Sequence, residues 1–277
     1  GQRILMVDPG YFDVESTGNP HMRGNIGRID RFTARQQWLA LRACYEGLGL
    51  GVDVLESVPL LPDLVFSANQ VLPVPPGLLA EGPAVVPSIM RSARRQAEVP
   101  HVAGFFANKG LHIEPLNPNL VPRFEGSGDA LWVPGRAALL GAVGPRSARQ
   151  AYEFLHAWTG VTLVQLKLVD IRFYHLDTCL SVLDERTAVY FPDAFDAAGN
   201  ALLEALFPTL VAVHEEEAMA MVCNGHCPDG KHYLVQRGCA RVAHLLAAAG
   251  FEVIELDTSE FLLSGGSVFC MKQQYWA

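Results

Sequence analysis

The sequence has no apolar run near the roughly 18 residues that a membrane-spanning helix requires. It also lacks the charged start and short apolar core of a signal peptide, so we expect no membrane partner. Basic residues are in deficit: 21 Lys and Arg stand against 29 Asp and Glu, a formal net charge of -8. Nucleic-acid binding needs a basic surface, and we therefore expect no nucleic-acid partner.

Cysteine is sparse and scattered. The six cysteines among 277 residues show no pairing pattern, and a chain of this length does not need disulfides to hold a core. We interpret them as reduced thiols, which predicts a cytoplasmic protein. Half of the residues are hydrophobic and 18% are charged, which is ample material for a core. No segment has the composition of a linker, so we predict one domain over residues 1–277.

One pattern recurs along the chain: a stretch with helical hydrophobic spacing, then Gly or Pro, then a short apolar strand. The strands begin near positions 51, 110, 160, 208 and 250. The preceding helices include one predicted over 92–108 and one that Ser147 caps. A mixed helix–strand repeat at this period favours a closed five-part ring over an open solenoid. An ordinary α/β domain is the alternative, because helix–Gly–strand is common there.

Each repeat ends in polar or reactive side chains. Equivalent points of a radial repeat converge on its axis, so a ring would bring these side chains into one central site. Spare carboxylates in such a site would hold a cationic substrate, and they would be costly to bury without one. The groups are Asp63 and Asn69, Glu125 and Asp129, His175 and Asp177, Asn224 and His226, and Cys270.

Cys270 is the candidate nucleophile. It follows two glycines and a serine in LSGGSVFCM, which let the backbone turn tightly and approach a ligand. A thiolate needs a base or imidazolium partner such as His175, and a histidine needs a third group such as Glu125 to fix its tautomer. Taken singly, each residue also has an ordinary structural explanation as a buried cysteine, a core histidine or a solvated acid.

Four motifs stand in a fixed order between Asp63 and Met271: PDLVFSAN, FEGSGD, HLDTCLSVL and GGSVFCM. In this order they resemble the guanidino-group-modifying (pentein) superfamily. The early NPHM segment is also similar to a segment near the start of these proteins. The resemblance implies an α/β fold, a five-bladed propeller with pseudo-five-fold symmetry. Members include arginine deiminases, dimethylarginine dimethylaminohydrolases, arginine dihydrolases and amidinotransferases.

The resemblance also implies roles for the matched residues. Cys270 matches the nucleophile and His175 the general acid/base. Glu125 matches the acid that orients the histidine and contacts the guanidinium. Arg91 falls where the family has an arginine for the substrate α-carboxylate, and Arg146 is similar to a second one, with a solvated helix start as the alternative for both. The substrate-binding candidates are Asp63, Phe66, Asn69, Arg91, Arg146 and Asp129.

Two positions depart from the family pattern. Deiminases and the dimethylarginine enzymes carry an aspartate where this chain has Asn69, and the SAN triplet looks more like the arginine dihydrolase branch, which releases two ammonias and yields ornithine. Phe269 stands before the cysteine, where many relatives have a polar residue. These departures leave the nitrogen substituents of the substrate open.

The expected function is hydrolysis of the guanidino group of arginine or a methylated arginine through a Cys-linked thiouronium. The products would be citrulline or ornithine with ammonia or an alkylamine, and no metal or organic cofactor is expected. An amidinotransferase and a non-catalytic pentein binding protein are the alternatives. A metal site at Cys223, His226 and Cys227 is a weaker one, because three crowded ligands lack the paired spacing of zinc sites. The oligomeric state is open, with a homodimer as one option.

Overall fold

The computed structural model describes residues 2–276, which form five small β-sheets with helices between them. The strands are β1 (Gln2–Val7), β2 (Gly51–Leu55), β3 (Val71–Val74), β4 (Ala84–Pro87), β5 (His112–Ile113), β6 (Ala130–Trp132), β7 (Ala138–Val143), β8 (Thr162–Lys167), β9 (Leu180–Val182), β10 (Thr187–Tyr190), β11 (Thr209–Ala212), β12 (His232–Gln236), β13 (Glu252–Leu256) and β14 (Gln273–Trp276). The helices are α1 (Arg31–Gly47), α2 (Ala93–Gln96), α3 (Val99–Asn108), α4 (Gly126–Asp129), α5 (Arg149–Thr159), α6 (Ala197–Leu206), α7 (Glu215–Met219), α8 (Ala240–Ala248) and α9 (Ser259–Leu262). Short 3-10 turns cover Pro20–Met22, Pro62–Val65, Leu176–Thr178, Pro192–Ala194 and Val222–Asn224.

The sheets repeat one pattern of strand pairing. In four of them, β14-β1-β2, β3-β4-β5, β6-β7-β8 and β9-β10-β11, the central strand has one antiparallel and one parallel neighbour. The fifth holds the parallel pair β12-β13, and an antiparallel bridge from His226 to Leu234 takes the place of the other neighbour. Because β14 pairs with β1, the first sheet joins the two ends of the described chain. The α/β class predicted from the sequence is confirmed.

Helix α1 illustrates how the repeated helices form and pack. The Asp30 carboxylate accepts a hydrogen bond from the N–H of Thr33 at 2.8 Å, which caps the first turn. Trp38, Leu41 and Tyr45 follow at helical spacing and are buried in one cluster with the β1 side chains. Burial of each such side chain stabilises the fold by about 1.5–3 kcal/mol. This face, rather than intrinsic helix propensity, holds the helix against its sheet.

The Gly residue that separates a helix from the next strand ends the helix, as the sequence indicates. Gly160 follows α5 with a φ of 70°, in the left-handed region that favours glycine, and its N–H donates to the carbonyl of His156. The chain then enters β8, which lies parallel to β7. The strand predicted at 111–116 is much shorter than expected, since only His112–Ile113 pair with β4.

Two local predictions were wrong. The helix predicted over 92–108 is divided into α2 and α3, and Pro100 lies in the first turn of α3, where it has no N–H to continue a helix from upstream. Ser147 does not cap α5, because the N-cap is Ala148 and no side chain bonds there. The Ser147 hydroxyl donates instead to the carboxylate of Asp129 at 2.6 Å, since that buried acceptor lies within reach.

The segment that carries the cysteine is held between two hydrophobic cores. Val268 and Cys270 belong to the cluster of Trp38 and β1, whereas Phe269 packs against the cluster that contains Tyr233. Alternate side chains therefore point to opposite sides of this segment. Among residues 2–276, no helix is both long and apolar enough to cross a membrane.

Candidate active site

A cavity of about 280 Å³ gathers side chains that are far apart in the sequence. Six of the nine candidate residues line it, from four separate segments. Further lining residues with polar side chains, none of them assigned a role from the sequence, include Asn19, Arg95, Tyr174 and Ser264. The candidates that line the cavity are Asp63, Phe66, Asn69, Arg91, Arg146 and Cys270.

Glu125 and His175 form a buried pair behind the cavity wall. Nε2 of His175 lies 2.6 Å from Oε2 of Glu125, and Nη1 of Arg146 donates to the same oxygen at 3.0 Å. The backbone N–H of Arg91 donates to Oε1 at 3.0 Å. Burial raises the pKa of Glu125, but the hydrogen bond and charge of His175, with the charge of Arg146, outweigh it and lower the pKa to about 2. Glu125 is therefore ionised at neutral pH and fixes the orientation of the imidazole.

The second ring nitrogen of His175 is free to act. Because Nε2 donates to a carboxylate, Nδ1 is the nitrogen that exchanges a proton, and it has no partner among residues 2–276. A Cβ on Gly128 would lie 3.4 Å from Nδ1 of His175 and closer still to Nδ2 of Asn69, and Asn69 lines the cavity. The histidine is thus oriented by Glu125 on one side and has a buried nitrogen without a partner in the described residues on the other.

Cys270 lies between an acid and an amide. Its Sγ is 3.2 Å from Oδ2 of Asp177 and 3.2 Å from Nδ2 of Asn224, and the thiol is 2% exposed. Oδ1 of Asn224 accepts the N–H groups of Ser267 and Cys270, at 2.8 and 3.3 Å. One asparagine therefore holds both the loop and its sulfur. In the described chain, Sγ makes no hydrogen bond to His175.

The glycines before Cys270 are required by close packing. A Cβ on Gly266 would lie 2.5 Å from Cε1 of Phe66 and 3.1 Å from Cβ of Cys270, and no side chain fits there. Phe66 itself stacks edge-on against Phe12 and Phe261. The GGS turn thus brings Cys270 close to the ring of Phe66, which a residue larger than glycine at position 266 would prevent.

The pKa values of the thiol and of its neighbouring acid are both raised. Burial raises the pKa of Cys270 well above its ordinary value, and the charge of Asp177 raises it further. Burial also raises the pKa of Asp177, to about 7, although the hydrogen bond from Cys270 and the charge of Lys272 oppose the shift. A cation placed beside the two groups would lower both pKa values, because it stabilises thiolate and carboxylate alike.

Asp63 and Asn69 are joined through an arginine that the sequence motifs did not single out. The Arg95 guanidinium is largely buried and donates to Oδ1 of Asn69 at 2.8 Å, to Glu98 at 3.1 Å and to the carbonyl of Asp63 at 3.3 Å. Burial raises the pKa of Asp63, with Arg95 opposing it, and its Oδ1 has no partner among the described residues. The signal was present in the sequence, because Arg95 lies one helical turn after Arg91 and three residues before Glu98.

The two predicted carboxylate-binding arginines have different surroundings. Arg146 is 7% exposed, its guanidinium carbon lies 5.0 Å from the centre of the Tyr174 ring, and Nη2 donates to the carbonyl of Gly18. A solvated helix start is therefore wrong for Arg146. Arg91 is exposed and lines the cavity just before α2, so its side chain is free to meet a ligand at the mouth.

Asp129 is displaced from its predicted place. It is 1% exposed, is not part of the cavity lining, and accepts hydrogen bonds from Ser147 at 2.6 Å and from the N–H of Leu176 at 3.1 Å. Burial raises its pKa to about 6. Because Leu176 follows the histidine, Asp129 supports the loop of His175 and does not touch a ligand in the cavity. The reason is the short helix α4, which turns the end of EGSGD inward.

The segment MVCNGHC supplies structure around the cysteine, not a metal site. Among the described residues, no three His, Cys, Asp or Glu side chains are placed to hold a metal ion. His226 instead bonds the hydroxyl of Tyr45 at 2.9 Å and the amide of Gln274 at 2.7 Å. Phe269, expected to bear on the substrate, does not line this cavity, because alternate side chains of its segment point away from it.

Comparison with known proteins places this geometry in context. No family model matches the chain. The chain is 36% identical over 269 residues to the N(G),N(G)-dimethylarginine dimethylaminohydrolase of Mycobacterium tuberculosis, covering 97% of this chain and 84% of that protein. It is 34% identical over 272 residues to the bifunctional arginine dihydrolase/ornithine cyclodeaminase ArgZ of Synechocystis, but spans only 37% of the length of that relative.

Solved structures agree with the sequence relatives. The N-terminal domain of the arginine dihydrolase ArgZ, solved as a cysteine-to-serine variant bound to substrate, superposes with a TM-score of 0.92 at 32% identity, over 99% of this chain and 98% of that one. Another structure of that domain holds a covalently bound reaction intermediate, with a TM-score of 0.90. The chain therefore belongs to the family of guanidino carbon–nitrogen hydrolases that contains dimethylarginine dimethylaminohydrolase and the arginine dihydrolases.

Proposed function

We propose that this protein hydrolyses the guanidino group of L-arginine, with Cys270 as nucleophile and His175 as general acid and base. The observation that carries the proposal is a single cavity lined by a thiol, which has a carboxylate beside it, and by four arginines. A guanidinium fits the first and an α-carboxylate fits the second, and arginine carries both groups. The thiol, Asp177, Asp63 and the arginines line or adjoin that one space.

In the first step Sγ of Cys270 gives up its proton, which passes to Nδ1 of His175, and attacks the guanidinium carbon. The substrate cation beside Sγ and Asp177 lowers the pKa of the thiol, so that the nucleophile forms when the substrate is present. The tetrahedral adduct loses one nitrogen, which takes a proton from Nδ1 of His175 and leaves as ammonia. A thiouronium on Cys270 remains. Phe66 lines the same cavity as Cys270 and gives it an apolar wall.

In the second step water completes the hydrolysis. Nδ1 of His175 removes a proton from the water, which attacks the thiouronium carbon, and the carbon–sulfur bond breaks as the new hydroxyl passes its proton to the sulfur, which gives citrulline and the thiol. Glu125 stabilises the imidazolium that forms in this step, because it is ionised and 2.6 Å from Nε2. The same pair thus serves as acid and then as base.

The orientation of Asn69 supports a second round that yields ornithine. An arginine side chain has only donors, so the atom of Asn69 that faces Arg95 is its oxygen, and the NH₂ group points elsewhere. This NH₂ has no acceptor among residues 2–276. It can donate to the oxygen of a ureido group but cannot hold a guanidinium, which has no acceptor. We infer that Asn69 retains citrulline for hydrolysis to ornithine, ammonia and carbon dioxide.

We also propose how the five sheets are arranged. Five sheets with one pairing pattern, the first built from both chain ends, support a closed five-bladed propeller over the single domain 1–277. In that arrangement the ends of the repeats face one axis, as the shared cavity requires. A cytoplasmic location and a homodimer stay predictions.

The products of purified protein decide among the candidates. With L-arginine we expect ornithine and two ammonias for each arginine consumed, with citrulline as a transient. Citrulline as the only terminal product would contradict the second round. Dimethylamine released from asymmetric dimethylarginine faster than ammonia from arginine would favour the dimethylarginine reaction of the first relative.

Two other classes are tested in the same assay. An added acceptor amine such as glycine would be converted to a new guanidino compound by an amidinotransferase. A binding protein would consume none of the guanidino compounds. The retained Glu125, His175 and Cys270 support hydrolysis over binding alone.

A further inference from the structure

A second cavity lies on the other side of the cysteine segment. It has a volume of about 670 Å³ and shares no lining residue with the catalytic cavity. Phe269 and Lys272 line it, whereas Cys270 between them lines the catalytic cavity. The side chains left without a role in catalysis therefore meet here, including Phe269 and His226.

Lys272 is the unusual feature of this cavity. The residue is 3% exposed, and its ammonium lies 3.3 Å from the centre of the Phe269 ring. No carboxylate or carbonyl of residues 2–276 lies at hydrogen-bond distance from this ammonium. A buried ammonium without an acceptor is costly, and burial accordingly lowers its pKa to about 7. An anion in the cavity would remove that cost.

The rest of the lining narrows the class of anion. The amides nearby are already bonded: Gln2 donates to the carbonyl of Pro228 at 2.6 Å, and Gln274 accepts from His226 at 2.7 Å. Trp132 and Trp276 supply flat apolar walls, along with several prolines. The cavity thus offers one buried positive charge and aromatic surface, with few other free polar groups in its interior.

We propose that this cavity binds a small organic monocarboxylate with a flat apolar body, whose carboxylate pairs with Lys272 and whose body packs against Trp132 and Trp276. The single buried positive charge of Lys272 favours a monocarboxylate. A phosphate or a dicarboxylate would bring a second negative charge that has no buried partner. The site does not depend on the reaction proposed for the catalytic cavity.

The pairing makes binding depend on pH. The titratable groups that face the ammonium are Asp177, Cys270 and His226, and the exposed Asp229 and Arg136 also line the cavity. The bound anion stabilises the protonated lysine, so the affinity is greatest below a pH of about 7 and falls as pH rises above it. Burial keeps His226 neutral throughout, since its pKa is lowered well below the ordinary value.

Calorimetric titration of the full chain tests the proposal with benzoate, phenylacetate and indole-3-acetate, each paired with its neutral amide. At about pH 6 we expect at least one acid to bind roughly tenfold or more tightly than its amide, as for a hydrogen bond to a charged group. Lys272→Met should abolish this preference, and Lys272→Arg should retain it. Lys167→Met, at an exposed position in β8, is the matched control and should change nothing. The tryptophan fluorescence should respond, because Trp132 and Trp276 line the cavity.

Several results would overturn the proposal. They are no binding by any of the three acids, equal binding of acid and amide, or an unchanged affinity in Lys272→Met. Displacement of the acid by L-arginine in a Cys270→Ala background would place it in the catalytic cavity instead. Should Lys272→Met fail to fold, the wild type decides, since an affinity that is the same at about pH 6 and about pH 9 contradicts pairing with Lys272.

Discussion

Two buried carboxylates near the catalytic cavity have pKa values that are shifted in opposite directions. Glu125 is surrounded by His175 and Arg146, and its pKa is lowered to about 2. Asp177 has a thiol as its hydrogen-bond partner, and burial raises its pKa to about 7. Burial acts on both, so the difference comes from the charges that accompany each acid.

The difference shows which half of the site is complete without substrate. The half with Glu125 and His175 is already ion-paired and oriented. The half with Cys270 and Asp177 has no cation in hydrogen-bond contact, and the pKa values of both groups are raised. In the proposed reaction a guanidinium supplies the missing charge and thereby generates the nucleophile.

Removal of the nucleophile should have the largest effect. Cys270→Ser is expected to lower kcat by roughly 10⁴-fold or more, because a serine in this pocket has no base to ionise it. Cys44→Ser, at a half-buried position in α1, is the matched control and should retain activity. Ammonia release from arginine measures both variants. A Cys270→Ser protein with near-normal turnover would exclude Cys270 as the nucleophile.

Removal of the negative charge of Glu125 should have the next largest effect on kcat. Glu125→Gln removes the negative charge that pairs with His175 and Arg146 and replaces one of the two acceptor oxygens with an NH₂ donor. The kcat should therefore fall by roughly 10²–10⁴-fold, the range of general acid–base catalysis. Glu153→Gln, at an exposed position in α5, serves as the control. The variant should fold, because glutamine fills the same space, and circular dichroism checks this. Activity within a few-fold of the wild type would contradict the role of Glu125.

Removal of the negative charge of Asp177 should slow the hydrolysis of arginine and speed up the alkylation of Cys270. Asp177→Asn removes an anion from the guanidinium, and kcat/KM should fall by roughly 10–100-fold. The same change lowers the pKa of Cys270, because the carboxylate raises it, so alkylation by neutral chloroacetamide should become faster. Asp193→Asn, an exposed acid, is the control. Parallel loss of both rates would indicate a structural defect instead.

Substitution of Asp129 should have the smallest effect on catalysis. Its main effect should be on how the free energy of unfolding depends on pH. Its folded-state pKa of about 6 is above the ordinary value of 3.8, so its contribution is present at low pH and is lost as pH rises through 6. The free energy of unfolding of the wild type relative to Asp129→Asn should therefore decrease by up to about 3 kcal/mol between about pH 4 and about pH 7. Urea denaturation across that range measures it. A difference that does not vary with pH would contradict the shift.

The sequence predicted the elements that local rules govern. Hydrophobic spacing and breakers predicted most of the repeated helices and strands, because buried faces such as Trp38, Leu41 and Tyr45 leave a clear period. Pro100 is a local signal as well, and it divides the helix predicted over 92–108. The motif order led to six of the cavity residues, because the family resemblance carries information about distant contacts.

The remaining features depend on contacts that no local rule contains. Asn224 and Asp177 contact Cys270 from two other segments, and only the packed structure shows that both meet the sulfur. Asp129 belonged to the right motif, but the turn of α4 directs it away from the cavity. The pKa of Cys270 likewise follows from burial, which the sequence of a single loop does not reveal.

The central claim, that a cation completes the half of the site around Cys270, has a direct test. The rate of alkylation of Cys270 is measured with 2-chloroacetamidine, a cation, and with its neutral relative chloroacetamide, and each is divided by the rate with a small free thiol. The account predicts that the normalised rate with the amidine exceeds that with the amide by at least about tenfold, since a positive charge near Asp177 favours the thiolate. Equal normalised rates would contradict it.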